Sequence, residues 1–178
     1  MKNFRFYKFC IVTLILYTLM GVKLMAGNAH VHGHATMNVV LDSQNLVIYM
    51  SLTAHDVIGF EHLANNQQEK NVIDSAVAYL EATEDWLVLE KGDCHKQNVE
   101  VSNPFQSKKT DTDEMSINHP NFEVNINYLC QAEDEISEFS VLLNKRFKEI
   151  QNIEVQWLAH ERQGLINLSD ENHQVRFE

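Results

Sequence analysis

The chain has 178 residues, with 14 lysines and arginines against 25 aspartates and glutamates, which gives a formal net charge of −11 at pH 7. This length is enough for one ordinary domain with its own hydrophobic core. An acidic chain of this kind is repelled by nucleic acid and by anionic lipid, so both are excluded as partners.

The first segment, residues 1–29, has the layout of a secretory signal peptide. Cations at its start precede an apolar run over residues 9–22, and small residues follow at Gly27 and Ala29. We predict cleavage after Ala29, with Ala26 as the competing position. The apolar run is too short for a comfortable membrane span, so we expect an exported protein without stable membrane insertion once the signal is removed. Removal takes away four cations and no acid, which changes the net charge to −15.

Two strands are predicted directly after this segment. Ala35 to Leu41 and Leu46 to Leu52 each place apolar residues at alternate positions, as half-buried strands do. A short polar turn, Ser43 to Asn45, separates them. The pattern predicts an antiparallel hairpin at the start of a domain that covers residues 30–178.

One helix and several further strands follow. Asn66 and Glu69 form a predicted capping box, and an apolar stripe at helical spacing continues to Leu80. Further strands are predicted at residues 86–90, 95–102, 122–130, 139–143, 153–158 and 165–168, with a helical turn at 145–150 that buries Phe147 and Ile150. The order predicts a single α+β domain, a mostly antiparallel sheet with one main helix packed on one face. Residues 103–120 form a long polar loop, which is either functional or disordered.

Cys94 and Cys130 remain after removal of the signal, which contains Cys10. In an oxidising compartment a disulfide is the default for such a pair. The competing interpretation, a thiolate metal site, lacks the close spacing of cysteines and histidines that zinc sites show. We therefore predict a Cys94–Cys130 disulfide.

The stretch AHVHGHATMNVVLD places His30, His32 and His34 at every second position. If this segment is extended, the three rings lie on one side, and neutral imidazole is a good ligand for zinc and copper. Gly33 gives the backbone freedom to bring the rings together. The alternative is a solvated tail, because a His-rich tract is a compositional signal rather than a geometric one.

A second polar cluster follows the second predicted strand, in the stretch AHDVIGFEH. It supplies His55, Asp56, Glu61 and His62, with Gly59 allowing a turn between them. A hairpin returns the end of its second strand to the start of its first, so His55 or His62 can join the N-terminal histidines.

Cleavage after Ala29 would also leave His32 as the third residue of the exported chain. A free amine, two deprotonated amides and a third-position imidazole form a square-planar nitrogen set that suits Cu²⁺ or Ni²⁺. The sequence holds no nucleophile elbow, no glycine-rich phosphate loop and no HExxH motif, so we predict that the protein is not an enzyme.

The stretches HVHGHATMNVVLD, VIGFEH and VQW resemble a family of periplasmic zinc-uptake proteins of the ZrgA type, over essentially all of residues 30–178. The resemblance implies zinc binding beside an ABC importer, with His30, His32 and His34 and the Glu61–His62 pair as ligands. Family members carry a long loop rich in histidine and acids before the second cysteine. In this chain the corresponding loop holds one histidine, His119, so the N-terminal cluster and Glu61–His62 are the remaining ligand candidates.

From these observations we predict a periplasmic zinc-binding accessory protein that holds zinc or delivers it to a zinc uptake system, with the solute-binding component of an ABC importer as the expected partner. The predicted metal ligands are His30, His32, His34, His55, Glu61 and His62. Two alternatives stay open: an exported protein–protein interaction module with solvent-facing histidines, and a copper- or nickel-binding periplasmic protein.

Overall fold

A computed structural model describes residues 31–105, 120–132 and 135–177 of the chain. Its strands are β1 (His34–Asp42), β2 (Asn45–Thr53), β3 (Leu87–Val88), β4 (Cys94–Ser102), β5 (Asn121–Cys130), β6 (Glu138–Val141), β7 (Asn152–Ala159), β8 (Arg162–Leu168) and β9 (Gln174–Arg176). Its helices are α1 (Ala54–Ile58) and α2 (Gln67–Glu81), and 3-10 turns occupy Thr83–Asp85 and Leu143–Lys145. His30 and residues 106–119, most of the predicted polar loop, lie outside the described residues.

A six-stranded sheet with the order β4-β5-β2-β1-β7-β8 is the main element of the fold. All its neighbouring strands are antiparallel except β1 and β7, which run parallel. A second, three-stranded antiparallel sheet has the order β3-β6-β9. The predicted α+β class, mostly antiparallel with one main helix, is confirmed.

The alternating residues of β1, β2 and β5 bury one face of the large sheet, as their two-residue period predicts. The buried members include Met37, Val39, Leu46, Ile48, Met50, Leu52, Phe122, Val124 and Ile126. Helix α2 adds Ile73, Ala76 and Leu80 to the same core. Phe147 and Ile150 are buried as predicted, although the backbone around them forms a 3-10 turn and irregular structure.

β1 and β2 form the predicted antiparallel hairpin. Leu41 pairs with Leu46 next to the turn, and Thr36 pairs with Ser51 towards the open end. The start of β1 and the end of β2 therefore lie side by side. β7 begins at this end too, because His34 is level with Asn152.

Cys94 and Cys130 are joined by a disulfide, as the sequence predicted. They face each other where β4 pairs with β5, at the end of the sheet that also holds the β1–β2 turn. The bridge closes the chain segment that contains residues 106–119. In the described part of the chain no helix is both long and apolar enough to cross a membrane.

The capping box of α2 gives a first stability prediction. The Asn66 side chain accepts the Glu69 backbone N–H at 2.9 Å, and the Glu69 carboxylate accepts the Asn65 backbone N–H at 2.7 Å. Replacing Asn66 by Ala removes the acceptor, so the free energy of unfolding should fall by about 1 kcal/mol in urea titrations followed by circular dichroism. Gln68→Ala, an exposed change in the same turn, is the control, and equal losses in both variants would contradict a capping role.

Candidate metal centre

Helix α1 begins directly at the end of β2 and positions two polar side chains there. The Thr53 hydroxyl accepts the Asp56 backbone N–H at 3.2 Å and so caps the helix. Gly59 ends it in the left-handed conformation, with φ of 85°, and its N–H donates to the His55 carbonyl at 2.8 Å. The one-turn helix therefore holds His55 and Asp56 in fixed places beside the start of β1.

His32 lies on the turn that precedes β1, and its ring lies next to His55 of α1. Its ring centroid is 4.3 Å from that of His55, with the two rings tilted by 52°. The two residues are 23 positions apart in the sequence, and the hairpin brings them together as its topology predicts. Both imidazoles are open to solvent, with side-chain exposures of 56% for His32 and 42% for His55.

The Asp56 carboxylate lies beneath these two rings and is only 2% exposed. Its Oδ2 atom accepts the Gly33 backbone N–H at 2.8 Å. Its Oδ1 atom lies 3.5 Å from Nδ1 of His55 and 4.0 Å from Nδ1 of His32. One carboxylate oxygen thus remains available to a cation that sits between the two imidazoles.

The spacing of these atoms suits a small metal ion. The ligand atoms of His32, His55 and Asp56 all lie within 4.8 Å of one another. A tetrahedral zinc ion with bonds of about 2.0–2.2 Å holds its ligand atoms roughly 3.3 Å apart. The two distances from Asp56 Oδ1 exceed that value by less than about 1 Å, and rotation of the exposed rings can close the gap.

Glu61 adds a carboxylate at the rim of the cluster. Its Oε1 atom is 3.9 Å from Nδ1 of His32. Glu61 lies in the segment that follows Gly59, and about a third of its side chain is open to solvent. The Glu61 carboxylate is therefore a further ligand candidate on the solvent side.

His62 points away from this cluster. Its Nδ1 atom lies 3.0 Å from the Leu63 carbonyl, 3.1 Å from the Asn65 amide nitrogen and 3.9 Å from the Glu69 carboxylate. Its ring stacks on Phe60 at 4.9 Å. His62 thus lies beside the first turn of α2, separate from the group that His32, His55 and Asp56 form.

His32 and His34 do not share one extended segment. Gly33 has a φ of 79°, and β1 begins only at His34, so the two-residue period does not carry over from His34 to His32. His34 lies within the strand and outside the His32–His55–Asp56 group. The assumption of an extended run is wrong at Gly33 because the chain turns there to reach Asp56.

Asp56 is the residue that the predicted ligand set omitted. The sequence already carried a signal for it, since Thr53 followed three residues later by an acid is a helix-capping pattern. That pattern is typical of a helix that starts after Thr53, with Asp56 in its first turn. The burial of its carboxylate depends on contacts with Gly33 that only the folded chain makes.

Comparison with known proteins adds one finding. The sequence model of one protein family, described as ZrgA family zinc uptake protein, matches residues 29–177. No curated protein matches the chain. The matched range contains every residue of the cluster described above.

Proposed function

The chain belongs to the ZrgA family of zinc uptake proteins, and from this premise we propose that it is a periplasmic zinc-binding accessory protein that holds zinc or delivers it to an uptake system. The observation that carries the proposal is the buried Asp56 carboxylate, which directs one oxygen towards His32 and His55. Two imidazoles and a carboxylate are ligands that zinc accepts.

The coordination shell in this proposal is built around His32, His55 and Asp56. Glu61 supplies a fourth donor from the rim, since it is already 3.9 Å from His32. His30, two positions before His32, is the second candidate for that place. His34 and His62 lie outside this shell, and zinc binding at the primary site does not require them.

The exposure of the ligands supports release by ligand exchange rather than catalysis. Asp56 forms the closed side of the site, whereas His32 and His55 are each about half exposed. An incoming donor from a partner protein can therefore reach the metal from the solvent side. The solute-binding component of a zinc ABC importer is the partner that we propose.

Two features support the periplasmic location. Residues 1–29 have the basic, apolar and small-residue order of a signal peptide. The Cys94–Cys130 disulfide suits an oxidising compartment, where imidazoles also have the advantage over oxidisable thiolates as metal ligands.

Calorimetric titration of the exported chain with zinc tests this function. We expect one tight site per chain, weakened at least tenfold in His55→Ala, because a tenfold change corresponds to about 1.4 kcal/mol and a lost ligand costs more than that. His62→Ala is the matched control and should leave the affinity unchanged.

An absence of zinc binding would contradict the proposal and favour an interaction module with solvent-facing histidines. A parallel titration with Cu²⁺ separates the other alternative. Copper binding that survives His55→Ala but is lost when the N-terminal amine is blocked would identify the square-planar amine–imidazole site instead.

A further inference from the structure

The backbone N–H and carbonyl of Gly33 make three hydrogen bonds, which connect the candidate site to the sheet. Its N–H donates to Asp56 Oδ2 at 2.8 Å. Its carbonyl accepts the N–H groups of Gln151 and Asn152, at 3.0 and 2.9 Å, just where β7 begins. The residue is buried, so this turn is held from two sides.

The backbone at this point requires glycine. Its φ of 79° lies in the left-handed region that side chains disfavour. A Cβ atom here would also lie 3.3 Å from the Glu149 carbonyl oxygen and 3.4 Å from the Gln151 side chain. A glycine between His32 and His34 thus allows the chain to place its N–H against Asp56.

We propose that Gly33 is the positioning residue of the metal site, an inference that rests on the proposed function. By holding Oδ2 of Asp56, its N–H leaves Oδ1 as the single carboxylate oxygen that faces the imidazoles of His32 and His55. The carboxylate is thereby fixed as a ligand that binds through one oxygen.

This arrangement determines which class of cation fits. Zinc accepts four ligands, and one carboxylate oxygen with imidazole nitrogens forms such a set. Calcium requires six to eight oxygen ligands and often takes both oxygens of a carboxylate. Because Oδ2 already accepts the Gly33 N–H, only one carboxylate oxygen is free to bind a cation. The site therefore favours a small cation that binds imidazole nitrogens, such as zinc, over calcium.

A double-mutant cycle tests the positioning role. Zinc affinity is measured by competition with a chromophoric chelator for the exported parent chain, Gly33→Ala, Asp56→Asn and the double variant. Gly33→Ala should weaken zinc binding about tenfold in the parent, but less than about threefold when Asp56 is already Asn, because the glycine acts through that carboxylate. Equal tenfold losses in both backgrounds, or no loss in the parent, would overturn the inference.

A spectroscopic measurement separates this role from a general loss of stability. Loading the chain with Co²⁺ should give the intense visible absorption of four-coordinate cobalt in the parent and a weaker spectrum in Gly33→Ala. Thr83→Ala is the control, because it breaks the buried Thr83–Tyr128 hydrogen bond away from the site and should change neither spectrum nor affinity. If the Gly33→Ala spectrum equals that of the parent, the positioning role is wrong but the proposed function stands. If the parent chain binds no zinc, both the proposed function and this inference are wrong.

Discussion

Replacing Asp56 by Asn should weaken zinc binding about a hundredfold, or roughly 2.7 kcal/mol, while leaving the fold intact. The amide oxygen of Asn can still accept the Gly33 N–H, which Asp56 Oδ2 accepts at 2.8 Å. The amide NH₂ group would then face His32 and His55 in place of the anionic oxygen. Because this group donates hydrogen bonds and offers no lone pair to a metal, the site loses a ligand and a negative charge together.

Asp74→Asn is the matched control for this change. Asp74 is exposed on α2, so its replacement alters the net charge by the same amount without touching the cluster. Competition with a chelator gives both affinities, and circular dichroism checks the fold. If Asp56→Asn and Asp74→Asn bind zinc equally well, the buried carboxylate is structural and not a ligand.

Removing the disulfide should give the largest loss of stability. Cys94 and Cys130 are separated by 36 positions, and a bridge that closes a loop of this size contributes roughly 3–4 kcal/mol by restricting the unfolded chain. The double replacement Cys94→Ala and Cys130→Ala should lower the free energy of unfolding in urea by about that amount. A loss below about 1 kcal/mol would show that the paired strands β4 and β5 need no covalent restraint.

The same double variant should keep its zinc affinity. The bridge lies at the end of the sheet where Asn45 pairs with Leu129, whereas the cluster lies at the opposite end of the β1–β2 hairpin. A coupled loss of zinc affinity in the folded variant would show that the two ends of the sheet act together.

The elements in which apolar residues recur regularly over many positions were predictable from the sequence. β1, β2 and β5 bury one face by strict alternation, and α2 starts at its Asn66 cap as predicted. The short elements contain too few residues to show a regular spacing of apolar side chains. The five-residue helix α1 and the three-residue strand β9 were missed for this reason, and the predicted strand at residues 86–90 shrinks to Leu87–Val88.

The candidate site was predictable in part for a related physical reason. The hairpin alone brings the segment with His32 near the segment with His55, so their proximity follows from local patterns. The left-handed turn at Gly33, which donates to the buried Asp56, is also bonded to the start of β7, and β7 pairs in parallel with β1 from more than 100 residues later in the chain. No short-range pattern encodes that pairing.

We expect zinc to bind where Asp56 Oδ1 faces His32 and His55. Crystals of residues 30–178 grown with zinc, with diffraction measured on both sides of the zinc absorption edge, test this expectation most directly. We predict an anomalous peak about 2.0–2.2 Å from one Asp56 oxygen and from a nitrogen of each imidazole. A peak beside His62 and Glu69, or at any other place when no peak lies between Asp56, His32 and His55, would contradict this binding site.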